Sequence, residues 1–568
     1  MYFDWIEQPF RRPPELDGRG GRVQVAIVGG GPVGLAAALL LARRGVQSVV
    51  LESRNTVSDG SRALGVQRRS TQLFDRLGLG REFRAKALAR ERNLIYFRDR
   101  LVQEMIYEHA ANEKHPLLLT LQQCWMEQIL LDGLANQSLA DVRWSTTLVD
   151  LAQESDGVRL KLETEAGAYA LHASYVIAAD GARGTVRRVL GHSFESPVAS
   201  RISDRRFVIC DFAMKSDLPP GRRVWLDPPY KPGSVVIMHS QPFNIWRLDY
   251  AVEDGEEPEI EARPERAKDR VAQHLQMMGI TDPWELVWTS VYRPLARSLP
   301  SYRDGRIFFC GDAAHQTPIF GGRGLNLGYA DVNNLAWKLS LALDGRAGAA
   351  LLDSYDPERR AILLEALDDL AQSTIFMTRP SRGVALMRDA ALSLSTRESF
   401  VAELFDAYRA RRGEAYETPL NASDDGAFNG GPHPGSPLPD ACLRSTGPEP
   451  LYLYDLLADG FTGVYFAPDD AVPAELMGLT DALRQTADLD IVIVARSDEL
   501  NQDMSVFRVG IDDSGDAFRA FDAEKGAFYL VRPDSYIAGR WHGIDQERIT
   551  ASVRRAVGFL PKEVCGHD

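Results

Sequence analysis

From Val23 to Ala42 the chain is apolar almost throughout, with Gln24 the only strongly polar residue. That length passes a filter for a membrane span, yet a glycine cluster divides it into two differently patterned halves. "VQVAIVGGG" reads as a short β-rich run stopped by glycine, and "PVGLAAALLLARRG" as a helix with Pro32 in its first turn. Arg43, Arg44 and Gly45 close that helix with the cations and glycine that a C-terminus favours. "VQSVVLE", 46–52, supplies a second strand. Strand, glycine turn, helix and strand form a βαβ unit of about 30 residues, which argues against a membrane helix.

Between about 200 and 300 the period shortens to that of a sheet. The runs "RRFVICDFAM", "RRVWLD", "SVVIMHS", "FNIWRLDYAV" and "ELVWTSVYRPLA" are β-patterned, and alternation in "VVIMHS" and "IWRLDY" predicts a half-buried face. Helical runs cover 262–278 and 327–343, and "SYDPERRAILLEALDDLAQ" and "RESFVAELFDAYRARRG" read as amphipathic helices within 354–415. The Gly/Pro/Asp-rich stretch 422–440 predicts a linker, and strand and helix patterns alternate after it. The pattern is α/β, and 568 residues exceed one core, so two to four domains are expected.

Composition narrows the partners. A net charge of -14 repels nucleic acid and anionic lipid, and no basic cluster reverses it locally, which favours a soluble enzyme or small-molecule binder. The five cysteines (Cys124, Cys210, Cys310, Cys442, Cys565) form no CxxC and no zinc-like spacing with histidine, so neither disulfide framework nor metal site is expected. "MYFDWIEQPFRRPPELDGRGGR" has early acidic residues and no apolar core of a signal peptide, which predicts a reducing cytoplasm.

Within the βαβ unit Gly29, Gly31 and Gly34 match GxGxxG. The first glycine suits a tight turn, the second close approach to a pyrophosphate, and the third close packing of helix on strand. A pyrophosphate is favoured at the helix N-terminus by free N–H groups and the helix dipole. Glu52 ends the second strand about 20 residues on, where a carboxylate accepts from ribose hydroxyls. The fingerprint predicts a dinucleotide and does not separate FAD from NAD.

Three further stretches do. "SRALGVQRRSTQLFDRLGL" (61–79) carries Arg62, "YVIAADGARGTVRRVLG" (175–191) carries Asp180-Gly181, and "GRIFFCGDAAHQTPIFGGRGLNLGYADVNNLAWKLSLAL" (305–343) carries Gly311-Asp312 and a glycine-rich loop. Together, over about 23 to 370, they resemble the single-component FAD-dependent aromatic hydroxylases related to p-hydroxybenzoate hydroxylase and phenol hydroxylase. "GPHPGSPLPDACL" (431–443) and "FYLVRPDSYIAGRW" (528–541) resemble the thioredoxin-like C-terminal domain of larger members, here without CxxC. The resemblance implies a Rossmann-like FAD-binding domain (23–195 and 296–345) interleaved with a substrate-binding sheet domain (196–295). Around these it implies an N-terminal extension (1–22), a helical region (346–421), the linker 422–440 and a thioredoxin-like domain (441–568), structural or dimer-forming.

Carried onto this sequence, the resemblance assigns FAD binding to Gly29, Gly31, Pro32, Gly34, Glu52, Arg62, Gln123, Asp180, Gly181, Gly311 and Asp312. Gly321, Gly322, Gly324, Leu325 and Asn326 would complete the set, with Asp312 on the ribityl chain and the following loop along the isoalloxazine. Backbone N–H groups freed by those glycines would stabilise negative charge on a reduced flavin. Gln122 rivals Gln123 for contact with the flavin side chain. Where the family commonly has Pro-Pro this chain has Pro318-Ile319, and Arg323 stands where many relatives carry Gln, so the substrate contact of Ile319 is left open.

The implied reaction is reduction of FAD by NADPH or NADH, then attack of a flavin C4a-hydroperoxide, formed with O2, on a phenolic or otherwise electron-rich ring. No motif fixes the base. His239, whose ordinary pKa suits a proton shuttle, and Tyr292 are the catalytic candidates, with Trp246, Arg247, Pro318 and Ile319 proposed at the substrate. A homodimer is expected. The alternatives are a tailoring oxygenase of a polyketide-type aromatic, a non-oxygenating FAD reductase or dehydrogenase, and a catalytically silent FAD-binding partner. A halogenase is disfavoured by the absence of a WxWxIP stretch.

Overall fold

The computed structural model describes residues 2–60, 62–109, 113–198, 205–318, 321–378, 381–398, 400–401, 415–424, 426–444, 450–497 and 507–560. Its first layer is built on five parallel strands in the order Ile307–Phe309, Gly167–Ala178, Arg22–Val28, Ser48–Leu51, Ala140–Arg143. Helix Pro32–Ala42, buried over nearly all its length, packs between this sheet and helices Gln123–Leu134 and Gly324–Leu343. Burial on every side explains why its sequence lacks a polar stripe. Among the described residues no helix is long and apolar enough to cross a membrane.

The second layer is a seven-stranded sheet in the order Trp284–Tyr292, Phe207–Met214, Ile245–Ala251, Val235–Ser240, Gly221–Leu226, Arg92–Phe97, Arg100–Ile106. The five β-patterned runs expected between 200 and 300 all form strands of it. The last two strands come from 92–106, so this sheet is not confined to 196–295. Their sequence, "RNLIYF" and "RLVQEMI", pairs as a hairpin that continues the sheet edge in parallel with Gly221–Leu226. Local patterning carries no sign of such a long-range pairing. Helix Pro264–Met277 covers the outer face, on Phe212, Trp225, Trp246, Leu248 and Tyr250.

The third unit is a five-stranded sheet in the order Arg508–Ile511, Asp490–Ala495, Thr462–Ala467, Ala527–Val531, Ile537–Trp541, the first three parallel and the last two antiparallel. The expected linker is not a loose tether. Ala422, Gly435 and Leu438 donate backbone hydrogen bonds to Ala538, Ile537 and Ser535, which covers the edge strand. Of the expected helices in 354–415, Tyr355–Thr378 forms, while most of 397–413 lies outside the described residues.

Candidate active site

Leu51, Val28, Ala178 and Phe309 stand level across the parallel sheet. The segments that follow them therefore meet at one edge: Glu52, Gly29 to Pro32, Asp180-Gly181 and Gly311-Asp312. Carboxyl ends of parallel strands are where open α/β sheets bind ligands. Gly29 has φ 109°, and a Cβ there would lie 2.4 Å from the Ala179 carbonyl oxygen; one on Gly34 would lie 1.9 Å from the Gly29 oxygen. Both positions are closed to side chains by the turn and the helix packing. Gly31 is different: a Cβ on it would meet nothing within 4 Å, at the start of a helix with no side-chain cap.

Glu52 is buried and accepts from the Gly30 N–H (2.7 Å) and the Arg54 N–H (2.9 Å), which pins strand end to glycine turn. Asp180 Oδ2 accepts from the Val186 N–H at 2.9 Å, while Oδ1 is buried without a partner among the described residues; burial raises this carboxyl against the pull of the Val186 N–H. Gly311 donates to Asp331 Oδ2 at 3.0 Å and its φ of 59° disfavours a side chain, while a Cβ on Gly328 would lie 2.7 Å from Val33 Cγ2 and 3.2 Å from Gly311 Cα. Asp312 is solvent-accessible, but the surrounding protein desolvates its carboxyl and raises its pKa, opposed by His315 and Arg62. An accessible yet desolvated acid marks the floor of a cleft.

Asn326 organises the glycine-rich loop. Its Oδ1 accepts from the Gln67 N–H (2.8 Å) and its Nδ2 donates to the Gly322 carbonyl (2.7 Å) and the Gly65 carbonyl (3.0 Å). Its side chain is thus a staple between loop and neighbouring strand. Gly321 (φ 116°) and Gly322 (φ 60°) hold left-handed backbone that disfavours side chains. Gly324 and Leu325 open helix Gly324–Leu343. Gln123 donates to Ser58 Oγ (3.1 Å) and Glu127 Oε1 (2.8 Å), bracing the 58–63 loop, whereas Gln122 donates to the Pro242 carbonyl (3.1 Å) and keeps a buried Oε1 without a partner among the described residues. Uncapped helix start, open Gly31, an acid on each flanking strand end and a glycine-lined loop suit a long anionic dinucleotide with a flat ring: these residues fit FAD.

Across the cleft lies the inner face of the antiparallel sheet. Trp288, Asp211, Arg247, His239, Arg222 and Asn93 stand opposite one another on six successive strands, and so share one face. Arg247 is bidentate to Asp211 (2.8 and 2.8 Å), which also accepts from Gln241 Nε2 at 2.9 Å. Arg247 Nη1 reaches the Arg62 carbonyl at 3.4 Å, tying this row to the FAD-side loop. One level further, Asp249 Oδ2 is 3.5 Å from His239 Nε2. A level beyond that the face is apolar, with Phe207, Val235, Leu226 and Phe97 packed near Met377 and Leu392.

Several sequence expectations change here. Trp246 cannot line the cleft with Arg247: adjacent strand residues point to opposite faces, and its ring is buried on the helix side with Nε1 bonded to the Met214 carbonyl at 3.0 Å. Burial, then Arg90, Arg222 and Arg247, hold His239 well below its ordinary pKa, so it is a neutral imidazole and not a shuttle near neutrality. Tyr292 donates its hydroxyl to the Thr317 carbonyl at 2.8 Å, and burial raises it further from titration, which makes it a brace for the flavin loop. Pro318 is buried beside that loop, and Ile319 lies outside the described residues. Asp211, Asp249, Arg222 and Gln241 were missed. The signal available was the pair of ionisable residues, Arg247 and Asp249, at alternate positions of an otherwise apolar strand. Tyr2 was missed too: the N-terminal segment is held by Trp5 on the Ser58 carbonyl (2.9 Å) and brings Tyr2 against Cys124, within electrostatic reach of Asp211 and Arg247.

Fold and cleft define a flavin-binding protein, and comparison with known proteins agrees. The family model described as "FAD binding domain" matches residues 22–369, and the chain belongs to that family. A 3-(3-hydroxy-phenyl)propionate/3-hydroxycinnamic acid hydroxylase of Mycolicibacterium smegmatis is 30% identical over 535 residues, 91% of this chain and 90% of that protein. A 12-dehydrotetracycline 5-monooxygenase/anhydrotetracycline 6-monooxygenase of Streptomyces rimosus subsp. rimosus is 30% identical over 413 residues, covering 70% and 79%. Among solved structures, the flavin-dependent monooxygenase PieE in complex with FAD and substrate superposes with TM-score 0.79 at 23% identity, covering 94% of this chain and 98% of that one. FAD is the cofactor of this chain.

Proposed function

We propose that the protein is an NAD(P)H- and O2-dependent FAD monooxygenase that hydroxylates a phenolic or otherwise electron-rich aromatic ring. The observation that carries this reading is the juxtaposition of strand-end glycines and acids suited to FAD with a sheet face bearing a buried ionic row, tied together at Arg62 and Arg247. Bound FAD supplies hydride acceptance from the nicotinamide and activation of dioxygen. The chain does the rest. Gly31 and the uncapped helix start receive the pyrophosphate, Glu52 the ribose, and Asp312 the ribityl chain, with Arg62, Asp180, Gly181 and the 321–326 loop around the remainder. The sheet face orients the ring, and the two packed layers keep bulk water from the reacting atoms.

A second reading, a tailoring oxygenase of a polyketide-type aromatic, is favoured by the Streptomyces relative. The C-terminal unit fits a thioredoxin-like fold, in which the order Ile537–Trp541, Ala527–Val531, Thr462–Ala467, Asp490–Ala495 places two parallel strands beside two antiparallel ones. Without CxxC its role is structural, and a cytoplasmic homodimer completes the reading.

The test is a panel of simple phenols, hydroxylated aromatic acids and polycyclic phenols, scored for stimulated NAD(P)H oxidation and product mass. One compound gaining a single oxygen is expected; consumption of NAD(P)H that no compound stimulates would falsify the proposal. Asp312→Ala is expected to purify largely free of flavin, and a fully yellow variant with unchanged turnover would remove Asp312 from the cofactor site.

A further inference from the structure

The ionic row on the sheet contains two buried carboxylates that differ in one respect. Asp211 has both oxygens occupied by Arg247, and Oδ1 also accepts from Gln241. Among the described residues neither oxygen of Asp249 is in a close hydrogen bond. Its Oδ2 is 3.5 Å from His239 Nε2, too long for a strong bond, and its Oδ1 is buried without a partner among the described residues. The Asp249 side chain is only 9% exposed. On the same face His239 Nδ1 and Gln241 Oε1 are also buried without partners among the described residues. Asp249 and Gln241 offer acceptors, so the group that completes this place brings a donor. A carboxylate brings none; a ring hydroxyl does.

We propose that Asp249, beside His239 on the inner face of the antiparallel sheet, accepts the proton of the substrate's ring hydroxyl. The inference rests on the hydroxylase reading above. As an electron-rich ring carbon bonds to one oxygen of the activated dioxygen, the oxygen–oxygen bond breaks, its electron pair stays on the other oxygen, and the carbon bearing the hydroxyl becomes a carbonyl carbon. The O–H bond breaks, its electron pair closes the C=O bond, and the proton forms a new O–H bond on Asp249 Oδ2. Asp249 and the ring oxygen both end this step neutral, and the negative charge rests on the oxygen left by the broken oxygen–oxygen bond. When the ring regains aromaticity, the carbon that was attacked gives its proton to the oxygen left behind, and the oxygen of the first hydroxyl is reprotonated from Asp249.

The groups facing Asp249 set its acidity. Arg247 lies on its own strand, Arg222 and His239 on the two strands beyond and Asp211 on the strand opposite; Arg90 acts on His239, and Tyr2 couples to Asp211 and Arg247. Burial raises the carboxyl to about 6 against the pull of Arg247 and Arg222. It is therefore ionised at neutral pH and close enough to neutrality to act as a general base. His239, held neutral by the same arginines, adds no competing charge.

The experiment uses the holoenzyme. A phenol that wild-type protein oxygenates, identified by product mass, serves as probe beside its O-methyl ether. If no phenol is oxygenated, the hydroxylase reading fails and this inference with it. With a probe in hand, Asp249→Asn is expected to lose about a hundredfold in kcat while keeping the bound-flavin spectrum. The wild-type loss of kcat as pH falls through about 6 is expected to vanish with it. Asp249→Glu should restore part of the rate, and wild type should bind the phenol about tenfold tighter than its ether, a preference absent in Asp249→Asn. A variant with wild-type kcat and an unchanged acid limb overturns the assignment and leaves the hydroxylase reading standing. Should Asp249→Asn fail to fold, equal binding of phenol and ether by wild type overturns it as well.

Discussion

Two clusters of buried charge, built from the same residue types, behave in opposite ways. The first joins the FAD-binding layer to the C-terminal unit. Glu358 accepts from Arg532 (2.8 and 2.9 Å), Lys338 (2.7 Å) and Asn334 (2.7 Å), and Arg532 also holds Asp534. Burial alone would raise Glu358, but Arg532 and Lys338 outweigh it and hold the carboxyl well below the usual range. The second is the row on the antiparallel sheet, where Asp249 is raised and one oxygen has no partner among the described residues. A buried charge with every oxygen occupied holds elements together; one left short of donors waits for a ligand. Burial does not distinguish them, and the completeness of the hydrogen bonding does.

The comparison can be broken in several ways. The largest effect is expected from Glu358→Ala, which strands Arg532 and Lys338 without their shared counterion. A loss of about 3–5 kcal/mol of unfolding free energy, read as a lower denaturant midpoint, is expected, with kcat per bound flavin little changed. A wild-type midpoint would show the lock to be dispensable. Asp249→Asn should do the reverse, leaving the midpoint at or above wild type while turnover collapses, because it removes a charge that burial disfavours.

The dependence on pH has opposite sign in the two clusters. Glu358 is depressed in the fold, so its stabilisation is present above its unfolded pKa and is lost as pH falls through the folded one. Asp249 is raised to about 6, so its ionised form costs stability above that value and the cost disappears as pH falls toward its unfolded pKa. The stability advantage of Asp249→Asn over wild type should therefore be full at pH 8, shrink through about pH 6 and be gone near pH 4. An advantage that grows with acidity would contradict the assigned shift. The smallest effect belongs to Arg43→Ala, which removes a pair with Asp459 that spans the same two units at the surface, at 2.9 Å but 37% and 47% exposed. Less than about 1 kcal/mol is expected.

The FAD side was legible in the sequence because its site is made of backbone. Gly29, Gly31 and Gly34 announce a turn, an approach and a packing contact, and such needs leave glycines at fixed spacing. The five strands of 200–300 were legible as β-patterned runs, but Val235–Ser240 and Ile245–Ala251, expected to be half-buried, are covered on both faces, by the helix Pro264–Met277 on one side and by the FAD-side layer on the other. What alternation withholds is which face looks toward the cofactor, so Trp246 and Arg247 were placed together although they point apart. The hairpin 92–106 joins the sheet through partners over 100 residues away, and Asp249 acquires its character from burial, from Arg247 on its own strand and from Arg222, which meets it only through the register. The Glu358 cluster was invisible for the same reason: 174 residues separate it from Arg532.

The central claim is that one oxygen atom passes from dioxygen to an aromatic ring in the cleft between the two sheets. Turnover of the best phenol under 18O2, with NAD(P)H consumption and product mass followed together, tests it most directly. The account predicts one labelled oxygen in the product and close to one nicotinamide oxidised per product. A product labelled from water, or nicotinamide oxidation that yields only hydrogen peroxide across the panel, would contradict it.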